Sequence, residues 1–302
     1  MTPRRYGPFP FVPITRRPKF SWPNGARVAL WVNPNVEFFG LDDVMPSNLN
    51  DRVPRANAHI PNVRNWAVRD YGNRIGVFRI MEVLDRHGIR GTVALNSDLC
   101  AVHPEIIEEG QKRKWEFMGH NESNTRRLND AAPGEEGGII RRTVETIGKA
   151  TGVKPRGWLS SGLSQTWDTL DHLADAGLDY VADWTNDDQP YLMSLPQGRS
   201  IMSVPYTLEL NDKPAFEKKM RTAEEFDTMI RRQFDVLWRE GEHQARVMAI
   251  ALHPYIIGVP HRIDALDAAL KYVCSHDGVW LTTGAEIAAE GRAALAATST
   301  SP

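Results

Sequence analysis

Apolar and polar positions along the chain alternate between two periods, and the alternation repeats. Arg27 to Val32 reads as a strand, followed by a loop from Asn33 to Gly40. Val77, Ile80, Met81 and Leu84 recur at helical spacing within Ile75–His87. Gly91–Asn96 is a second strand, and His103-Pro104-Glu105 opens a helix through Lys114. Glu116 to His120 is a short third strand, Ile139–Thr151 a helix, and Pro155–Leu159 a strand entering a Ser/Gly loop. Thr166–Ala176 is a helix with Gly177 as its C-cap. Strands at Tyr180–Trp184 and Ile201–Pro205 precede a long helix, Thr222–Glu240, with Phe226, Met229, Ile230, Phe234 and Leu237 on one face. The apolar run Val247–Leu252 is a buried strand. A helix near Ile263–Ser275, a strand at Val279–Leu281 and a helix at Ala285–Ala294 complete the series.

Strands alternating with helices predict an α/β fold with a parallel sheet. The number of repeats favours a closed or nearly closed (β/α) barrel over a doubly wound sheet. No G-x-G-x-x-G or G-x-x-x-x-G-K motif is present, so a dinucleotide or P-loop site is not expected. The expected organisation is an extended arm over residues 1–24, rich in proline and aromatics, one domain over 25–290, and a flexible tail over 291–302. Residues 41–68 show no helical period and read as one long loop, a length usually reserved for function or disorder.

Composition narrows the partners. A net charge of -2 argues against nucleic acid or an anionic membrane surface, either of which favours a basic face. Cys100 and Cys274 are too few for a disulfide framework or a cysteine zinc site. The N-terminus lacks an apolar signal region, and no apolar run could span a bilayer, so a cytoplasmic protein is expected. Tyr6, Phe9, Phe11, Phe20 and Trp22 on the arm would form an unusual patch if exposed. The arm is therefore expected to pack on its own barrel or on a second subunit of a homo-oligomer.

Chemistry collects where strands end. In parallel α/β folds the carboxyl ends of the strands open onto the site. The run Val247–Leu252 ends in His253-Pro254, then Gly258-Val259-Pro260-His261-Arg262. An imidazole so placed can serve as acid or base near neutral pH, or merely cap the strand. Glu37 follows the first strand, His120 and Asn124 the third, and the Trp158–Thr166 loop the fourth. Asp183 through Tyr191 adds an acidic segment, which turn chemistry alone could also explain. Ser160 and Ser161 lie outside any G-x-S-x-G elbow, so a serine nucleophile is not expected.

The order of several segments resembles the polysaccharide deacetylase (NodB-homology) superfamily, from about Trp22 to Ala289. The pieces that carry the resemblance are Trp22 to Leu30, Asn35-Val36-Glu37, Tyr71-Gly72-Asn73-Arg74-Ile75-Gly76, Pro155 to Gly162, Asp187 to Tyr191, Val204-Pro205-Tyr206-Thr207, and His253 with Gly258 to Arg262. More narrowly, they resemble the branch of metal-independent allantoinases and cyclic imide hydrolases. The resemblance implies a distorted (β/α) barrel with about seven parallel strands.

The departures from the superfamily pattern shape the expected chemistry. Its deacetylases hold a divalent metal with an aspartate of Thr-Phe-Asp-Asp and two histidines of His-x-x-x-His. Here the first motif reads Asn35-Val36-Glu37-Phe38, and the second reads His120-Asn121-Glu122-Ser123-Asn124. One carboxylate stands where two are expected, and a neutral amide replaces a histidine. A Glu37/His120/Asn124 set is the alternative metal site, but catalytic zinc is usually held by three stronger ligands. The resemblance therefore implies a hydrolase of C–N bonds in small cyclic amides, imides or ureides, with no cofactor. Glu37 would act as base, His120 would position water or stabilise the developing oxyanion, and His253 would act as acid. Asn124, Trp158, Asp183, Tyr191 and Tyr206 would contact substrate. Two alternatives stand beside this reading: a metal-dependent N-deacetylase of a carbohydrate or related amide, and an inactive barrel that binds a ligand or partner.

Overall fold

The structure, a computed structural model, describes residues 5–46 and 60–299. Its centre is β1 (Val28–Val36), every residue of which is buried. Burial on both faces is the mark of a parallel strand covered by helices outside and side chains inside. Around it stand β2 (Thr92–Leu95), β3 (Glu116–Gly119), β4 (Gly157–Trp158), β5 (Tyr180–Val181), β6 (Tyr191–Ser194), β7 (Ser200–Ser203), β8 (Arg246–Leu252) and β9 (Val279–Thr282). The order across the sheet is β6-β7-β5-β4-β3-β2-β1-β8, with β9 also pairing β1. All pairings are parallel except the β6–β7 hairpin. The sheet curls into an open barrel.

One strand, β1, holds three neighbours, which explains its length. Residues 28–31 pair both β8 and β9, so those two strands take opposite edges. The β8 register continues to Pro34↔Leu252, and β2 takes over at Asn35↔Ala94. The loop expected from Asn33 is thus strand as far as Val36, because two neighbours hold that stretch. Its extension carries Glu37 to the barrel mouth.

The helices cover the outside: α1 (Val63–Tyr71), α2 (Val77–Arg86), α3 (Leu99–Val102), α4 (Pro104–Lys112), α5 (Glu136–Thr151), α6 (Thr169–Asp175), α7 (Ala223–Glu240), α8 (Pro260–Cys274) and α9 (Gly284–Ser299). Phe226, Ile230, Phe234 and Leu237 of α7 are buried, as its periodicity predicts. Three expectations change. Helix α1 begins within the stretch read as loop and runs past its end; it buries Asn65 and Arg69 rather than apolar residues, so its period is invisible to hydropathy. Residues 47–59 of that stretch lie outside the described residues. Strand β6 was not expected, because its segment reads as turn chemistry. The tail expected from residue 291 is helical to Ser299.

The barrel has one working end. Its interior is filled by Trp31, Met118, Tyr180 and small residues such as Ala29 and Ala249. At the amino ends of the strands a half-buried carboxylate, Glu116, accepts from Tyr180 Oη at 2.9 Å, Thr92 Oγ1 at 3.1 Å and Ala285 N at 3.0 Å. That network ties the floor together and leaves the carboxyl ends to form the site.

The arm spans the barrel's open seam. Pro8 O accepts from Ser194 N of β6 at 2.7 Å, and Phe20 O accepts from Ala245 N, just before β8, at 3.1 Å. Arg17 makes a bidentate pair with Asp187, both contacts at 2.6 Å. Phe9 packs edge-on against Trp184 and Tyr191, and Trp22 is buried with its Nε1 donating to Arg246 O at 2.7 Å. Most of the arm's aromatic surface is therefore spent on its own barrel, although Tyr6 and Phe11 stay exposed. Among the described residues no helix is long and apolar enough to cross a membrane.

Candidate active site

Glu37, His120 and His253 meet at the barrel mouth, each carried one residue past the end of β1, β3 or β8. Glu37 Oε1 lies 3.8 Å from His120 Nε2 and 3.6 Å from His253 Nε2. All three side chains are buried. The second carboxylate oxygen, Glu37 Oε2, is also buried and has no hydrogen-bond partner among the described residues.

The two histidines are held through their other nitrogens. His120 Nδ1 lies 2.5 Å from Leu159 O. A carbonyl only accepts, so Nδ1 carries the proton and Nε2 faces Glu37. His253 Nδ1 lies 2.6 Å from Asp212 Oδ1, while Asp212 Oδ2 accepts the His253 backbone N–H at 2.7 Å. Asp212 is fully buried, on a segment that bridges to β8 through Asn211↔Ala251.

These contacts set the charges. Burial would lower the pKa of His253, but the Asp212 and Glu37 carboxylates outweigh it and raise the imidazole to about 9. At neutral pH His253 is therefore an imidazolium. Burial would raise the pKa of Glu37, but the charge of His253 and the nearness of both imidazoles hold it well below the usual carboxylate range. Burial pushes the pKa of Asp212 upward, against the pull of His253. The centre is an ion pair, Glu37 with His253, backed by a second carboxylate.

The segment Tyr71 to Gly76 positions this centre from outside the mouth. Asn73 Nδ2 donates to Glu37 O at 3.0 Å. A Cβ on Gly76 would sit 2.1 Å from Pro254 O, and one on Gly258 would sit 2.4 Å from the same oxygen. The two glycines let the backbones touch, and that contact fixes the loop following His253.

A cavity of about 330 Å³ opens over the centre. Asn35, Glu37, His120, Asn124, Tyr206 and His253 are among its walls. Tyr206 Oη and Asn35 Nδ2 are hydrogen-bonded at 3.1 Å. Asn124 makes a backbone hydrogen bond to Phe38 O at 3.0 Å, but its side-chain Oδ1 is buried without a partner among the described residues.

Three of the expected substrate contacts lie elsewhere. Trp158 is fully buried among Leu128, Ile140 and Leu173, on the helix side of the sheet, because its neighbour Leu159 takes the inward position. Tyr191 is on β6 against the arm, with its hydroxyl on Asn186 Oδ1 at 2.7 Å. Asp183 braces the loop after β4, accepting Ser160 N at 2.7 Å and Gln165 Nε2 at 2.5 Å. None of the three lines the cavity. Sequence reasoning missed Asp212 and Lys213. The available signal was a polar Asn211-Asp212-Lys213-Pro214 run between apolar residues, which reads equally well as a surface turn.

The donor set does not fit a catalytic metal. Glu37 and His120 would be joined only by the neutral Asn124 amide. His253 has one nitrogen committed to Asp212 and a proton on the other. Among the described residues no three His, Cys, Asp or Glu side chains are grouped as a metal site.

Comparison with known proteins agrees with this architecture. The family model "Polysaccharide deacetylase" matches residues 69–181. A Schizosaccharomyces pombe protein whose name places it among the polysaccharide deacetylases is 28% identical over 293 residues, covering 88% of this chain and 91% of its own. The crystal structure of PuuE allantoinase superposes with a TM-score of 0.81 at 25% identity, over 92% of this chain and 94% of that one. A probable polysaccharide deacetylase from Pseudomonas aeruginosa PAO1 superposes with a TM-score of 0.80 at 25% identity, over 91% and 94% of the two chains. Residues 69–181 thus match the polysaccharide deacetylase family, and the whole chain takes the NodB-like barrel fold on which PuuE allantoinase and the Pseudomonas aeruginosa protein are also built.

Proposed function

We propose that the protein hydrolyses the C–N bond of small cyclic amides, imides or ureides without a metal. The observation that carries this reading is one carboxylate, Glu37, set 3.8 and 3.6 Å from two histidine Nε2 atoms, one of them a buried imidazolium backed by Asp212. That is an acid and a base side by side in the wall of one small cavity.

The chemistry follows from the protonation states. The 3.8 Å separation of Glu37 Oε1 and His120 Nε2 suits a water shared between them. That water attacks the substrate carbonyl carbon and gives a proton to Glu37. The C–N bond then breaks, and the nitrogen takes the proton of His253 Nε2. A ring opens to a carboxylic acid and an amide or urea nitrogen, with one water consumed. Glu37 returns its proton to His253 when product leaves. A carboxylate held so acidic is a poor base at rest. Its acidity comes from the His253 charge, so it regains basicity as His253 gives up its proton. The two transfers are therefore coupled.

Without a metal to polarise the carbonyl, the substrate must be more electrophilic than an acetamide. Cyclic imides and ureides meet that need, since the leaving nitrogen delocalises charge onto a second carbonyl. The unpartnered Asn124 Oδ1 is an acceptor and offers a hydrogen bond to a ring N–H of such a substrate. The test is turnover on a panel of cyclic imides, hydantoins and acetylated sugars, with and without chelator. Chelator-insensitive opening of a ring supports the reading. Chelator-sensitive release of acetate replaces it with N-deacetylation, and silence on the whole panel favours a binding barrel.

A further inference from the structure

We infer that the substrate carries a carboxylate, and that Arg127 and Lys218 bind it at the mouth of the cavity. This rests on the hydrolase reading for its turnover arm only; its binding arm stands alone.

The charges lining the cavity are uneven. Four cations, Arg69, Arg127, Lys213 and Lys218, face one carboxylate, Glu37, whose charge His253 already balances. Two of the cations are occupied. Arg69 is buried and bonds Asn65 O at 3.0 Å. Lys213 Nζ lies 2.8 Å from Glu217 Oε2 and 2.9 Å from Tyr255 Oη. Arg127 and Lys218 are exposed and have no side-chain acceptor among the described residues. Their sequence neighbours are paired: Arg126 with Asp98 at 2.8 Å, and Lys219 with Glu209. The protein thus neutralises the adjacent charges and leaves these two free at the opening.

The placement of Arg127 is itself built. Its guanidinium lies over Gly162, at φ +66° in the loop after β4. A Cβ on Gly162 would come within 3.2 Å of Arg127 Cζ. The glycine lets the planar guanidinium lie flat against the backbone at the cavity wall, with its donor edge free. A planar fork of N–H donors matches a carboxylate. A cleft lined by one sign of charge also draws an opposite charge towards it. The cavity, at about 330 Å³, holds a five- or six-membered ring with a short acidic side chain and little more. The ring's reacting carbonyl would lie over Glu37 and His253, with its acidic arm pointing outward.

The experiment compares hydantoin-5-acetate with its neutral isostere hydantoin-5-acetamide, in wild type and in the Arg127→Gln, Lys218→Gln double variant. The carboxylate should be preferred by at least about tenfold in kcat/KM, the scale of one charge-assisted hydrogen bond. That ratio should fall towards one in the double variant and shrink with added salt. A wild-type ratio near one, or a preference the double variant retains, overturns the inference. If neither compound is hydrolysed, the proposed reaction is in question, and calorimetric titration of the same pair decides the binding claim. Tighter binding of the carboxylate that the double variant loses supports it. Equal or absent binding of the two compounds to wild type overturns it.

Discussion

Asp212 grips His253 twice, by the ring nitrogen Nδ1 at 2.6 Å and by the backbone N–H at 2.7 Å. One carboxylate therefore fixes both the tautomer of the imidazole and the direction in which it leaves β8. Pro254 restricts the same backbone further by disfavouring helical conformations at His253. The imidazole has one free nitrogen and one direction to offer it, towards Glu37 at 3.6 Å. Asp212 acts through His253, as a positioning residue.

Asp212→Asn should expose that role in a pH profile. The amide keeps the shape and removes the charge that raises His253 to about 9. In wild type the rate should decline above about pH 9, as the acid loses its proton. In the variant the decline should begin at lower pH, and kcat should fall by roughly ten- to a hundredfold. An unchanged alkaline limb would remove Asp212 from the mechanism.

Stability should carry the same signature. The folded pKa of His253 is raised, so its contribution is complete below the unfolded value of about 6.5. It is lost progressively as pH rises through about 9. Wild type should lose more thermal stability between pH 7 and 9 than His253→Gln, which has no proton to lose. Parallel pH dependence in the two proteins would contradict the ion-pair assignment.

Glu37→Gln keeps the volume of the side chain and removes its basicity. Turnover on a cyclic imide or ureide should fall by roughly two to four orders of magnitude. Substrate affinity should change much less, because the proton moves mainly in the transition state. Near-normal turnover would exclude Glu37 as base.

The positions of the three central residues were legible because each follows a strand, and strands with buried faces announce themselves by apolar runs. Glu37, His120 and His253 come together for that reason. The fold was legible for the same reason, apart from β6 and α1. Helix α1 hides because it buries Asn65 and Arg69, and hydropathy registers a polar face as loop. Asp212 hides for a related reason: a buried carboxylate between Asn211 and Lys213 has the composition of a turn, and only its partner reveals it. Trp158 misled in the opposite direction. Adjacent residues of a strand face opposite sides of the sheet, and it is Leu159 that faces the cavity.

Chelation should leave the enzyme active. The other candidate ligands in the cavity wall are a histidine bonded to a carbonyl, an imidazolium and a neutral amide, none of which completes a zinc site. Exhaustive treatment with a chelator should change kcat/KM by less than about twofold, and restoring the metal-ligand pattern by Asn124→His should introduce measurable zinc binding. Loss of activity on chelation, recovered by zinc, would favour the deacetylase reading instead.

Gly76→Ala tests how the outer segment holds the site. The new methyl would lie 2.1 Å from Pro254 O, a backbone atom that cannot rotate aside. Gly258, which packs against the same oxygen, leaves the loop no room to retreat. Either the segment carrying Asn73 or the loop after His253 must shift, and Asn73 holds the Glu37 carbonyl at 3.0 Å. A helix interior would ordinarily gain about 0.5–1 kcal/mol from this substitution. Here the clash should reverse the sign and cost roughly 2–4 kcal/mol, the range of overpacking and strain in a closely packed core. Activity should fall in the fraction that stays folded, since the shift separates Glu37 from His253. Gly88→Ala is no control, because that glycine has a positive φ. Gly148→Ala is one: it is helical, and its nearest neighbour is Lys154 Cα at 3.7 Å. If denaturant unfolding shows Gly76→Ala as stable as Gly148→Ala, the tight contact between the two backbones is not what fixes the His253 loop.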